Sequence, residues 1–140
     1  EKGAQKAGRD GSAIKVTGGG FIITGSDRTS IRTMQAEVRK RIAFYASTRS
    51  YFPVLEAHGF EEIGQQLHEM SLKGQWAEMG ELVNDEMLEA FSVSGEYDEI
   101  ADKFASRYGG LLDEVSLTLV CEKQPEEAQM KKMIRRLQEL

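Results

Sequence analysis

Residues 14–27 read Ile14-Lys-Val-Thr-Gly-Gly-Gly-Phe-Ile-Ile-Thr24-Gly25-Ser26-Asp27, and the way this stretch ends decides the fold class. β-Branched and aromatic residues on either side of three glycines predict a strand near 14–24, loosened where glycine offers no side chain to pack. Asp27 then stands where its carboxylate can accept from the free amides of a first helical turn. Beyond it Ile31, Met34, Val38, Ile42 and Tyr45 recur at steps of three and four, the spacing of a helix with one apolar face. Arg32, Arg39, Lys40 and Arg41 are expected on the opposite, solvated face. A strand running directly into an amphipathic helix is the first half of a βαβ unit.

The rest of the chain repeats that order after an interruption. Pro53 predicts a short helix through His58, stopped by Gly59. Ile63, Leu67 and Met70 mark another, ending near Lys73-Gly74, and Trp76, Met79, Val83 and Met87 a third. The stretch near 53–90 carries no strand signal and reads as a helical insertion. Phe91-Ser-Val-Ser-Gly95 alternates as a second strand, near 91–95. A helix is expected from Glu96 to Tyr108, with Ile100, Phe104 and Tyr108 inward, then a third strand near 115–120. The final helix, Pro125 to Leu140, turns Met130, Met133, Ile134, Leu137 and Leu140 inward. Strands alternating with helices mean parallel pairing through helical crossovers, an α/β architecture. A parallel sheet needs cover on both faces, and three strands are few. The chain, which opens on Glu1 rather than Met, therefore reads as one domain over 1–140 cut from a larger α/β protein.

Composition narrows the functional classes. Among 140 residues, 18 are Lys or Arg and 23 are Asp or Glu, and the net charge of −5 argues against a nucleic-acid partner. No apolar run approaches the ~20 residues of a membrane span. The single cysteine, Cys121, excludes an internal disulfide framework and favours a reducing, cytoplasmic setting.

Several apparent motifs fail on their chemistry. Gly18-Gly19-Gly20 matches neither phosphate-loop spacing and sits inside a strand, so a bulge or a close approach explains it better. His68-Glu69 begins a zinc-binding H-E-x-x-H, but Leu72 stands where the second ligand belongs, and two histidines with one cysteine supply too few ligands. Cys121 has no C-x-x-C partner and reads as a half-buried structural thiol. More information lies at the strand-to-helix junctions, because ligands of parallel α/β proteins bind at the carboxyl ends of strands. Thr24-Gly25-Ser26-Asp27 presents hydroxyls and a glycine there. At Ser94-Gly95-Glu96 the carboxylates of Glu96, Asp98 and Glu99 compete with any anion.

One set of blocks goes beyond generic α/β. Val38-Arg-Lys-Arg-Ile-Ala-Phe-Tyr-Ala-Ser-Thr-Arg-Ser-Tyr51 runs into Pro53-Val-Leu-Glu-Ala-His-Gly-Phe60. Asn84-Asp-Glu-Met-Leu88, the strand Phe91 to Gly95, and Ala105-Ser-Arg-Tyr-Gly-Gly110 follow in register. From Ala7 to Leu119 the chain resembles the luciferase-like monooxygenases, and more closely their branch of F420-dependent oxidoreductases. The resemblance implies the C-terminal portion of a TIM-type (β/α)8 barrel with a helical insertion. It implies hydride transfer between a deazaflavin, coenzyme F420, and a small organic substrate. The alternatives are FMN in place of coenzyme F420, or a truncated, non-catalytic half-barrel. It places Thr24 and Gly25 beside the cofactor, and Tyr45, Ser47, Thr48 and Tyr51 on the substrate side. Expected partners are a small-molecule substrate and either a homo-oligomer or the missing N-terminal half, without which the chain is expected to bind no cofactor tightly. Gly95-Glu96-Tyr97-Asp98-Glu99 departs from the family's Gly-Thr-Pro-Glu-Glu, which moves any phosphate away from that junction.

Overall fold

The computed structural model describes residues 2–121 and 123–139. In chain order it contains α1 (Lys2–Lys6), β1 (Thr17–Gly18), β2 (Phe21–Gly25), α2 (Arg28–Ala46), α3 (Phe52–Ala57), α4 (Glu61–Leu72), α5 (Asp85–Phe91), β3 (Ser92–Glu96), α6 (Ile100–Tyr108), β4 (Glu114–Val115), β5 (Leu119–Val120) and α7 (Glu127–Gln138). Asp27 caps α2 as its position predicts, accepting the Ser30 amide at 2.8 Å. Leu140, expected inward on the last helix, lies outside the described residues. No helix among those described is long and apolar enough to cross a membrane.

The strand expected near 14–24 is two strands. β1 pairs in parallel with β4, and β2 with both β3 and β5. The segment expected as one strand near 115–120 divides at the same place, into β4 and β5. Thr17 faces Glu114 and Ile22 faces Leu119, so both ladders keep one offset and no residue is inserted. The two segments part for three residues and rejoin. Gly19 makes the parting possible: its φ is 152°, and a Cβ there would stand 3.1 Å from the Ser116 carbonyl oxygen.

In the larger sheet the order is β3-β2-β5, all parallel. Chain order would put β3 in the middle; β2 holds that place. The crossover from β2 to β3 therefore runs one way across the sheet and that from β3 to β5 runs back. Right-handed crossovers in opposite directions land on opposite faces. The core follows. Ile23 and Val120 point into a cluster with Val38, Ile42, Leu55, Leu67 and Met87 of α2 to α5. Ile22 and Val93 point the other way, onto Ile100 and Phe104 of α6 and Met133 of α7, with Leu119 packed against them.

Several expectations need correction. The second strand begins at Ser92 because Phe91 still closes α5, and it runs through Glu96, so α6 starts only at Ile100. Trp76 lies outside any helix and is 51% exposed; the helix expected around it is a single tight turn at Met79–Leu82 followed by α5, which Asn84 caps. Ile134 is exposed on α7, where Met133 fills the core position. The basic face of α2 is not all solvated. Arg39 is largely covered by the insertion, donating to the Val83 carbonyl and pairing with Asp85, while Lys40 runs beneath Gly80.

Candidate functional site

Because β2, β3 and β5 are parallel, their carboxyl ends lie together. A crevice of about 430 Å³ opens there, lined by Gly25 and Ser26 after β2, Ser30 in the first turn of α2, Tyr97 after β3 and Lys123 after β5. It sits where the chain turns from one side of β2 to the other, the switch point at which open parallel sheets bind ligands. Its donors are two hydroxyls, a phenol and an ammonium. Asp27 borders it. That carboxylate is held below its ordinary range chiefly by the Ser30 amide, and the Ser26 hydroxyl donates to it at 3.4 Å. The Tyr97 hydroxyl donates to the Lys123 carbonyl at 2.8 Å and ties the two strand ends together. Burial, with a smaller contribution from Cys121, pushes the Tyr97 phenol up, so it stays protonated. Burial likewise pushes the Cys121 thiol up and leaves it a poor nucleophile.

Thr24 and Gly25 fall at this end of the sheet, in different roles. Gly25 lines the crevice, and a Cβ there would stand 2.9 Å from Ser30 Cβ, so glycine lets α2 start hard against the strand end. Thr24 is fully buried in the middle strand, and among the described residues its hydroxyl has no hydrogen-bond partner. It lies behind the crevice and not in its lining. Ser30, Tyr97 and Lys123 escape sequence reasoning. Tyr97 occupies the departure from the family pattern, and Lys123 reaches the site only because β5 lies on β2.

Tyr45, Ser47, Thr48 and Tyr51 do not join them. α2 runs back along β2, so its last turn arrives at the amino ends of the strands, roughly 14–17 Å from the carboxyl ends of a five-residue strand. There an apolar cavity of about 460 Å³ is lined by Phe21, Tyr45, Tyr51, Leu55, Phe91 and Thr118 among others. Phe91 and Thr118 immediately precede β3 and β5, which fixes the cavity at that end. Ser47 and Thr48 stay out of its lining: both hydroxyls donate to the Phe44 carbonyl, at 2.8 and 3.5 Å, and finish the helix. Of the four, Tyr45 and Tyr51 line this amino-end cavity, while Thr24 and Gly25 lie at the carboxyl ends of the strands. Tyr45 also bridges Phe44 and Tyr51 edge to face, and Trp76 extends the aromatic surface beyond Phe44. His68 has both ring nitrogens engaged, one with the Ser47 carbonyl at 2.9 Å and one with Arg49 at 3.2 Å. Among the described residues no three His, Cys, Asp or Glu side chains stand close enough to hold a metal.

The profile of the luciferase-like monooxygenases matches residues 1–114. An uncharacterized protein of Mycobacterium tuberculosis is 41% identical over 114 residues, which are 81% of this chain and 34% of that protein. The 5,10-methylenetetrahydromethanopterin reductase of Methanopyrus kandleri is 32% identical over 104 residues, 74% of this chain and 29% of the reductase. Among solved structures, the coenzyme F420-dependent tetrahydromethanopterin reductase of Methanopyrus kandleri matches with a TM-score of 0.65 and 28% identity, over 98% of this chain and 37% of that one. The chain thus spans about a third of the length of the curated relatives it matches. Parallel strands with helical crossovers and a match along nearly the whole chain identify a portion of a TIM-type barrel, one in which β5 stands beside β2.

Proposed function

The chain belongs to the luciferase-like monooxygenase family, and from that premise we propose that it is part of a coenzyme F420-dependent oxidoreductase acting on a small organic substrate. The observation that carries this reading is the donor-lined crevice at the carboxyl ends of the strands, in a fold matched along its length by an F420-dependent reductase. Coenzyme F420 supplies a hydride-carrying deazaflavin and an anionic tail. The donor set fits the tail: Ser26 and Ser30 offer hydroxyls, Lys123 an ammonium, and α2 the positive end of a 19-residue helix. Asp27 opposes an anion and limits how tightly the chain holds one. Gly25 keeps Ser30 at the strand end, and Thr24 supports the crevice from behind. Tyr45 and Tyr51 act at the far strand ends, shaping apolar surface and taking no part in the reacting end.

The test is resonance-by-resonance titration of the chain with coenzyme F420. Weak binding is expected to shift the amides of Gly25, Ser26, Ser30 and Lys123 and to leave Tyr45 and Tyr51 unmoved. Lys123→Met is expected to weaken it severalfold. An unchanged spectrum at millimolar coenzyme, or shifts confined to the amino-end cavity, overturns the reading. Preference for FMN under the same conditions transfers it to the flavin branch.

A further inference from the structure

Lys123 brings the positive charge to the lining of the strand-end crevice, and little of its own backbone holds it there. The segment that carries it runs from the end of β5 at Val120 to the start of α7 at Glu127. Among the described residues, no backbone-to-backbone hydrogen bond involves Lys123, Gln124 or Pro125. The hydrogen bond that reaches this segment comes from a side chain: the Tyr97 hydroxyl donates to the Lys123 carbonyl at 2.8 Å. A carbonyl fixed in this way fixes the Cα beside it, and the ammonium on its flexible four-carbon stem then searches a smaller volume.

Tyr97 is itself held firmly enough to do this. It lines both the crevice and a groove of about 610 Å³ between α6 and α7, where Ala101, Ala128 and Met133 stand beside it, so its side chain is the partition between the two. Burial raises the phenol above its ordinary value, so the donor proton stays in place at neutral pH. The carboxylates that follow it into α6 are occupied elsewhere: Asp98 pairs with Lys132 of α7 at 2.8 Å, and Glu99 with Lys103 at 2.8 Å. The Asp98 pair also ties the Tyr97 turn to the helix that follows Lys123, so both ends of the hydrogen bond are braced against the same element.

We propose that Tyr97 is a positioning residue: its hydroxyl holds the Lys123 segment so that the ammonium meets an anionic group of the ligand beside Ser26 and Ser30. The inference rests on the proposed cofactor, whose tail supplies that anion. Tyr97 acts on the anion through Lys123, so its contribution to binding exists only while residue 123 is a cation. A tyrosine that merely supported the sheet or α6 would have the same effect on binding with that charge or without it.

A double-mutant cycle read by titration with coenzyme F420 tests this. Tyr97→Phe keeps the ring and removes the donor, and is expected to weaken binding about two- to tenfold, the worth of one hydrogen bond. Beside Lys123→Met the same substitution is expected to change nothing. The Lys123 amide supplies a readout that needs no coenzyme. Its order parameter is expected to match those of Leu119 and Val120 in the unmodified chain and to fall in Tyr97→Phe, while Ile100 and Phe104 of α6 stay rigid. A Lys123 amide already mobile in the unmodified chain overturns the proposal, which keeps the test decisive should Tyr97→Phe fail to fold. Binding that Tyr97→Phe leaves unchanged, or a weakening that persists in full beside Lys123→Met, overturns it too, and there the coenzyme still binds and the cofactor reading stands. An unmodified chain that binds no coenzyme at millimolar concentration overturns both.

Discussion

Replacing Thr24 by valine is expected to stabilise the protein. Thr24 is fully buried in the central strand, and its hydroxyl finds no partner among the described residues. A buried hydroxyl without a hydrogen bond costs about 1–3 kcal/mol relative to water, and valine removes that cost while keeping the β-branched shape the strand favours. The unfolding entropy of about 2.1 cal/mol/K per residue gives roughly 0.3 kcal/mol/K for a chain of this length, so the melting temperature should rise by about 3–10 °C. Urea denaturation is the cleaner assay, because a higher midpoint at unchanged slope reports stability alone. The same substitution should leave resonance shifts caused by coenzyme F420 unchanged, since the hydroxyl is outside the crevice lining. A lower midpoint would mean that the hydroxyl is satisfied in solution. Loss of the coenzyme shifts with stability intact would make Thr24 a direct contact and refute its placement behind the crevice.

Arg39 and Arg41 look alike in the sequence and should not behave alike. Arg39→Met removes donors from the Val83 carbonyl and Asp85 and should cost about 1.5–3 kcal/mol by urea denaturation, whereas exposed Arg41→Met should stay within about 0.5 kcal/mol. Equal effects would mean that the insertion does not cover α2. The Asp27 cap should respond to pH with a fixed sign. Its carboxylate is held below the ordinary 3.8, so the unfolded chain takes up the proton first, and the stabilisation is full above that value and fades as pH falls through the native one. The stability gap between the protein and Asp27→Ala should therefore be flat near neutrality and shrink in acid; a gap that grows in acid contradicts the capping geometry.

The parts of this fold that the sequence announces are those where local chemistry and tertiary packing agree. Asp27 followed by apolar residues at steps of three and four fixes the start and inner face of α2, because cap and core make the same demand. Gly25 and Ser26 are legible as a strand-to-helix junction for the same reason. Arg39 is not legible, because a helix surface covered by an insertion looks the same in sequence as one facing water. Tyr45, Ser47, Thr48 and Tyr51 are a different case. The periodicity places Tyr45 on the last turn of α2, whereas Ser47, Thr48 and Tyr51 follow the helix, and the distance that its 19 residues put between Tyr45 and the carboxyl ends of the strands is not written in the spacing.

Strand order is the feature least available to sequence, and the candidate site depends on it. The segment from Glu114 to Val120 has only Val120 buried, so its burial pattern specifies neither a partner strand nor a register. The two strands that β5 could join differ in character. β2 presents Ile22 and Ile23 to either face and accepts Leu119 and Val120 in the same rows that it shares with Val93 and Ser94. β3 presents carbonyls already taken up by Lys103 and Arg107, so pairing there would first have to displace two anchored cations. Placing β5 on β2 is what creates the switch point, sets Lys123 beside Ser26 and Ser30, and lets Tyr97 reach across to the Lys123 carbonyl. Had β5 joined β3 instead, β3 would separate Lys123 from the β2–α2 junction, and the donor set would be dispersed. Strand order, and not any single residue, therefore decides which side chains meet at the mouth of the sheet.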